Sequence, residues 1–252
     1  PVENASLMPW LAGTALIHCV SILEKRNTLQ SWTVLLSILT FALSLIGTFL
    51  VRSGILNSVH AFASDPTRGL FILAFLLIVL IVSLFIFARK GPFLDKEIKY
   101  HLLSRETGIL VNNWLFLTIL FIVFLGTVYP IFTDIVLNEN ITVGSKYYIF
   151  SITPIIFLFI FAMIITPFLN WSTNNYKILI QKIYKPTLLS VMLIFSISLY
   201  FDKLSITEIS LLILSSILIM ANLNSNILFK NNSFYLTSNI GRALTHAGFA
   251  LL

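Results

Sequence analysis

Charge is scarce in this chain: only 10% of its 252 residues are Asp, Glu, Lys or Arg, where a soluble domain averages roughly 25%. That shortage excludes an ordinary water-facing surface. A single cysteine, Cys19, excludes an intrachain disulfide framework and any paired-cysteine metal or redox motif. No segment alternates polar and apolar residues over about ten positions, so a transmembrane β-barrel is excluded as well. No internal repeat or low-complexity tract is present. Runs of basic residues are missing too. The net charge of +6 and pI near 9.5 come from residues standing singly or in small groups between apolar blocks, which argues against a nucleic-acid surface.

What remains is hydrophobic. Apolar residues make up 58% of the chain and the mean hydropathy is +0.95. They come in long uncharged blocks, and about 20 such residues are what a helix needs to cross hydrocarbon. The expected fold class is therefore all-α, a polytopic transmembrane helical bundle. Seven full spans are expected near 6–23, 33–51, 69–88, 109–133, 147–169, 187–201 and 208–223, with a truncated eighth starting at 240. The sixth is short for a full crossing, so the expectation is either a start closer to Lys185 or a span thinned or tilted into place by its neighbours. The whole chain, 1–252, reads as one transmembrane region and an internal piece of a longer protein. Pro1 is not an initiator residue, and the stretch after Ile240 has too few residues to cross.

Alternate connections sort by charge. Twelve of the sixteen basic residues fall on one side: Lys25 and Arg26, the group from Arg89 to Arg105, Lys177 to Lys185, and Lys230 with Arg242. The other side has Arg52, Arg68, Lys146 and Lys203. The positive-inside rule puts the first group in the cytoplasm, or in the matrix for a mitochondrial protein. The Asn-rich stretch 222–232 reads as a polar inner loop.

Three places resist a reading as plain membrane filler. His18 lies in the first span, six residues before Glu24, hence about 9 Å inside the inner edge. His246 lies in the truncated span, about 6–10 Å inside the same edge. Ionisable groups within spans are rare and face the bundle interior, and imidazole is a common metal and haem ligand. Small residues, such as Ala15 near His18 and Ala247 near His246, suit close approach of a flat group or of another helix equally. The third place is the outer segment 52–68, which carries His60. Ile55, Leu56, Val59 and Phe62 fall at helical spacing there, predicting a short interfacial helix. Asp65-Pro66 reads as an N-cap and first helical position. Arg52 and Arg68 bracket the segment, where they suit either an anionic, carboxylate-bearing ligand or snorkelling to the interface. The remaining histidine, His101, reads as a solvated inner-loop residue.

Pro1 to Leu11 followed by Gly13 to His18, then Gly47 to Gly54 running into Ser58 to Pro66, then Ser104-Arg105-Glu106 with Asn112-Asn113, and finally Thr245-His246-Ala247-Gly248 occur in that order. Together they resemble the CcmF family of cytochrome c-type biogenesis proteins. Residues 130–235 match that family in hydropathy alone. The resemblance implies a haem lyase component that binds haem and positions it, at the outer face, for thioether attachment to apocytochrome c. It implies two haems: a transmembrane haem b held by His18 and His246, and a second haem held at the outer face as substrate, with His60 as one iron ligand. By placement, Arg52 and Arg68 are candidates for its propionates. The family's tryptophan-rich segment and second outer ligand are absent from this chain. Implied partners are apocytochrome c, a haem-delivery chaperone, other cytochrome c maturation proteins and the lipid bilayer. The implied location is the bacterial inner membrane, with the mitochondrial inner membrane as the alternative. Two other readings of buried histidines are a transporter or channel and a quinone-linked cytochrome b-type electron-transfer subunit. The first predicts inverted repeats or broken midspan helices, and the second lacks any use for His60.

Overall fold

The structure is a computed structural model that describes residues 2–53, 65–94, 100–139, 141–171, 176–198, 205–230, 233–236 and 240–251. Helices dominate it: α1 (Val2–Arg26), α2 (Gln30–Arg52), α3 (Pro66–Lys90), α4 (Arg105–Leu137), α5 (Ser145–Ile165), α6 (Tyr176–Ser198), α7 (Ile206–Asn226) and α8 (Ile240–Leu251). Short 3-10 turns at Gly91–Phe93 and Thr166–Phe168 follow α3 and α5. One antiparallel hairpin, β1 (Ile227–Lys230) with β2 (Ser233–Leu236), joins α7 to α8, with Ile227 opposite Leu236.

Five of these helices, α1 to α5, are long and apolar enough to cross a membrane. The apolar part of α7, Ile206–Asn222, is shorter. The side chains turned outward fit that solvent. On α3, Leu70, Phe71, Ile78, Ile81 and Phe85 are all exposed, a stripe that would aggregate in water and is solvated by lipid tails.

Two expected boundaries move. The sixth span was expected from 187, with its lysines in a loop, but α6 begins at Tyr176 and carries Lys177, Lys182 and Lys185 in its first ten residues. Long lysine stems allow this, since they lie along an apolar helix while the ammonium reaches the interface. The stretch 222–232 was expected to be a polar loop. Instead α7 continues to Asn226, and Ile227 to Lys230 form a strand. Apolar and aromatic residues on both sides of Asn231-Asn232 favour hairpin pairing over an open loop.

The chain divides into two compact units. The first comprises residues 1–99 and 113–155, the second 100–112 and 156–252. In the first, α1 packs on α2 and α2 on α3. Pro9 stands inside α1 and has no N–H to give the Ala5 carbonyl. Gly47 of α2 lies directly over that carbonyl: a Cβ there would sit 2.7 Å from Ala5 O. The two breaks in helix chemistry thus meet at one close crossing, where a Cα–H can approach the freed oxygen. In the second unit α6 packs on α7 and α7 on α8. There α7 opens with a reciprocal cap: Ser205 N donates to Glu208 Oε2 at 2.7 Å, and Glu208 N donates to Ser205 Oγ at 3.3 Å.

Candidate functional site

His18 lies on α1, eight residues before the basic end at Arg26, about 12 Å along the helix. Its ring is covered by α4. The Phe116 ring lies 5.8 Å away at 43°, and one turn earlier on α4 the Asn113 carboxamide faces the imidazole. Asn113 is fully buried, and its Nδ2 donates to Cys19 Sγ at 2.9 Å. His18 Nδ1 is buried and lacks a well-aligned hydrogen bond, as does Asn113 Oδ1. Buried polar groups inside a span are costly, so this cluster is a departure from plain packing.

His246 lies on α8 in the second unit, six residues into the helix. One turn earlier comes Arg242, and Phe249 packs edge-on to Phe159 at 5.3 Å. Neither unit taken by itself contains both histidines.

The same unit holds an arginine site at Arg105, which the sequence places in a charged inner loop and within the family-like segment Ser104-Arg105-Glu106. Arg105, at the start of α4, donates from Nη2 to Pro167 O at 2.8 Å, and its guanidinium lies 5.4 Å over the Trp171 ring. Its backbone N–H donates to Asn170 O at 2.8 Å. Ser104, fully buried, caps the helix by accepting from Thr107 N at 3.2 Å. Glu106 is buried beside it in sequence. His101 is exposed, as expected; its carbonyl accepts from Thr107 Oγ1 at 2.7 Å.

Of the candidates in the segment 52–68, Arg52 and Arg68 are linked through Asp65. Asp65 N donates to Arg52 O at 2.9 Å, tying the start of α3 to the end of α2. Asp65 is the N-cap and Pro66 follows at the first helical position, as the sequence predicts. The Asp65 carboxylate accepts from the Thr67 hydroxyl, from Thr67 N at 3.1 Å and from Arg68 N at 3.3 Å. It also pairs with Arg68 Nε at 3.1 Å. The Thr67 hydroxyl and the Arg68 N–H hold this carboxyl below the usual carboxylate range. Gly69 closes the joint, since a Cβ there would lie 3.0 Å from Ser53 Cα. Arg52 also lines a cleft of about 540 Å³ with Ala5, Pro9, Ser44, Gly47 and Thr48. His60 and the helical stripe expected around it lie outside the described residues.

Among the described residues no three of His, Cys, Asp and Glu cluster as a closed metal site would need. A single axial imidazole needs no such cluster. Asn113 escaped sequence reasoning as a site residue. Its available signal was physical: an adjacent asparagine pair, Asn112-Asn113, inside an otherwise apolar span.

Apolar outward faces, spans capped by charge and buried polar residues at chosen depths define a polytopic helical membrane protein. Residues 1–57 match the family described as Cytochrome C assembly protein. The cytochrome c-type biogenesis protein CcmF of Pseudomonas aeruginosa is 42% identical over 221 residues, covering 88% of this chain and 34% of that protein. CcmF of Haemophilus influenzae is 48% identical over 70% of this chain and 27% of its own length, and CcmF of Escherichia coli is 43% identical over 69% and 27%. A solved structure titled cytochrome c heme lyase CcmF shares the fold, with a TM-score of 0.66 and 21% identity, covering 100% of this chain and 37% of that one. The chain belongs to the CcmF family of cytochrome c-type biogenesis proteins, and it spans between about a quarter and a third of the length of the curated relatives it matches.

Proposed function

We propose that this chain is the haem-handling membrane region of a haem lyase component acting in cytochrome c maturation, in a bacterial inner membrane. In this reading His18 and His246 are the axial ligands of a transmembrane haem b, and His60 is one iron ligand of a substrate haem at the outer face. Apocytochrome c, a haem-delivery chaperone and other maturation proteins are the partners. The observation that carries the reading is His18: an imidazole within an apolar span, with a buried Nδ1 and a buried carboxamide beside it. That donor set fits an axial haem ligand, which binds through one nitrogen and turns the other toward an acceptor.

The reaction asks for positioning. Each cysteine thiol of the apocytochrome adds across a haem vinyl group; a C–S bond forms and the thiol hydrogen goes to the neighbouring vinyl carbon, with no net oxidation or reduction. Holding the reactants in attack geometry supplies several kcal/mol of such a barrier, on the order of 7–11 at best. His60 would hold the substrate iron until the histidine of the apocytochrome takes its place. Arg52 and Arg68, at the tied ends of α2 and α3, suit the substrate's propionates, and Arg68 stays largely exposed while it pairs with Asp65. When bound, a bis-histidine haem supplies one-electron chemistry, and keeping the substrate iron reduced is the use proposed for it.

The test is visible spectroscopy of the natural membrane protein joined to a cytochrome c maturation assay. His60→Ala should abolish maturation and keep the bis-histidine spectrum. His18→Ala and His246→Ala should each lose that spectrum. A His60 variant without the spectrum, or a His18 variant with it, would refute the ligand assignment.

A further inference from the structure

The polar cluster on α1 and α4 has a direction. Asn113 Nδ2 is spent on Cys19 Sγ, at 2.9 Å. That bond fixes the amide so that Oδ1, an acceptor only, is the end left over. Oδ1 is buried with no well-aligned donor, and the carboxamide faces the His18 ring, whose Nδ1 is likewise buried and unmatched. A neutral imidazole carries one N–H and one bare nitrogen. Placed at Nδ1, the proton offers Oδ1 a donor and Nδ1 an acceptor; placed at Nε2, it leaves Nδ1 and Oδ1 as two buried acceptors with no donor between them, which is unfavourable. Phe116, one turn further along α4, packs on the same ring and restricts its swing.

We infer that Asn113 is a positioning residue for His18: its Oδ1 accepts the Nδ1 proton, fixing the tautomer that leaves Nε2 bare for an iron atom. Cys19 has a part in this that is neither redox nor ligation. Its sulfur holds the amide of Asn113 the right way round. The inference rests on His18 being an axial haem ligand, as proposed above. An acceptor on the far nitrogen makes an imidazole a more basic ligand, and loss of such an acceptor typically costs 10- to 100-fold in metal affinity.

Basicity gives the test a sign. In the natural membrane protein, purified with its haem in detergent, redox potentiometry of the reduced haem absorption band would be compared for wild type, Asn113→Asp and Asn113→Leu. A charged acceptor favours the ferric state, so Asn113→Asp should lower the midpoint potential. Removing the acceptor should raise it, with haem lost roughly 10-fold faster on dilution. Cys19→Ser, which keeps a partner for Nδ2, should stay near wild type, and Cys19→Ala should move toward the Leu variant. A merely structural asparagine would shift both Asn113 variants in one direction. Unmoved potentials, or shifts of the same sign, would overturn the inference while leaving His18 a ligand. Should the Leu variant fail to accumulate, Asn113→Asp decides alone, since a raised or unchanged potential overturns the inference. A wild-type protein with no bis-histidine spectrum overturns the parent reading and this one with it.

Discussion

Replacing Gly47 with alanine puts a carbon 2.7 Å from Ala5 O and 3.4 Å from Ala5 C. Carbon–oxygen contacts in close helix crossings run about 3.3–3.6 Å, so α1 and α2 must part by roughly 0.6 Å. The obstacle is backbone, which has no rotamer to escape into. Overpacking of this kind costs about 1–3 kcal/mol. Alanine is the better helix former by up to ~1 kcal/mol, so the clash must be read against a glycine in open space. Gly241, in the first turn of α8, is such a control: nothing lies within 4 Å of its added Cβ. The difference between Gly47→Ala and Gly241→Ala then isolates the clash, roughly 5- to 150-fold in the folding equilibrium. The assay is the unfolding midpoint of detergent-solubilised protein in rising SDS. If Gly47→Ala and Gly241→Ala move the midpoint alike, the close crossing at Pro9 and Gly47 does not exist as described.

Arg105→Lys removes the Nη2 bond to Pro167 O and the stack on Trp171, and an ammonium replaces neither geometry. A loss of about 1–2 kcal/mol is expected in the same SDS titration, and Arg105→Ala should lose no less. Asp65 gives a pH signature at the start of α3. Its folded carboxyl titrates below the ordinary value, so its contribution is complete above about pH 4 and is lost as pH falls through the lower folded value. Hydrogen-exchange protection of the Thr67 and Arg68 amides should drop over that acid range and be pH-independent in Asp65→Ala. A drop that persists in the alanine variant would assign it elsewhere.

How much of this was legible beforehand follows from which signals are local. Long uncharged blocks locate spans because water-to-lipid transfer acts residue by residue, so α2 and α3 appear nearly where they were expected. Asp65-Pro66 is equally local, a cap and a ring with no N–H to lose. The start of α6 was missed because lysine was read as loop, although its stem is apolar and helix-compatible. The hairpin after α7 was missed because Asn-rich composition outweighed the flanking Ile, Leu, Phe and Tyr. His18 stood out because it is ionisable within a span. Its partner Asn113 lies 94 positions away by the count to Cys19, and no single-sequence pattern links residues at that distance. The closeness of Gly47 to Ala5 is of the same kind.

The joint at Arg52, Asp65 and Gly69 has a consequence for the segment between Ser53 and Asp65. Its two ends are already held together by a backbone hydrogen bond and a glycine contact that belong to the helices. The spacing of these two helix ends is therefore set by residues outside the intervening chain. Insertions, deletions or an epitope between Ser53 and Asp65 can be accommodated without shifting α2 or α3. The contacts that hold the ends of α2 and α3 together are thus made by residues other than those of the segment that carries His60.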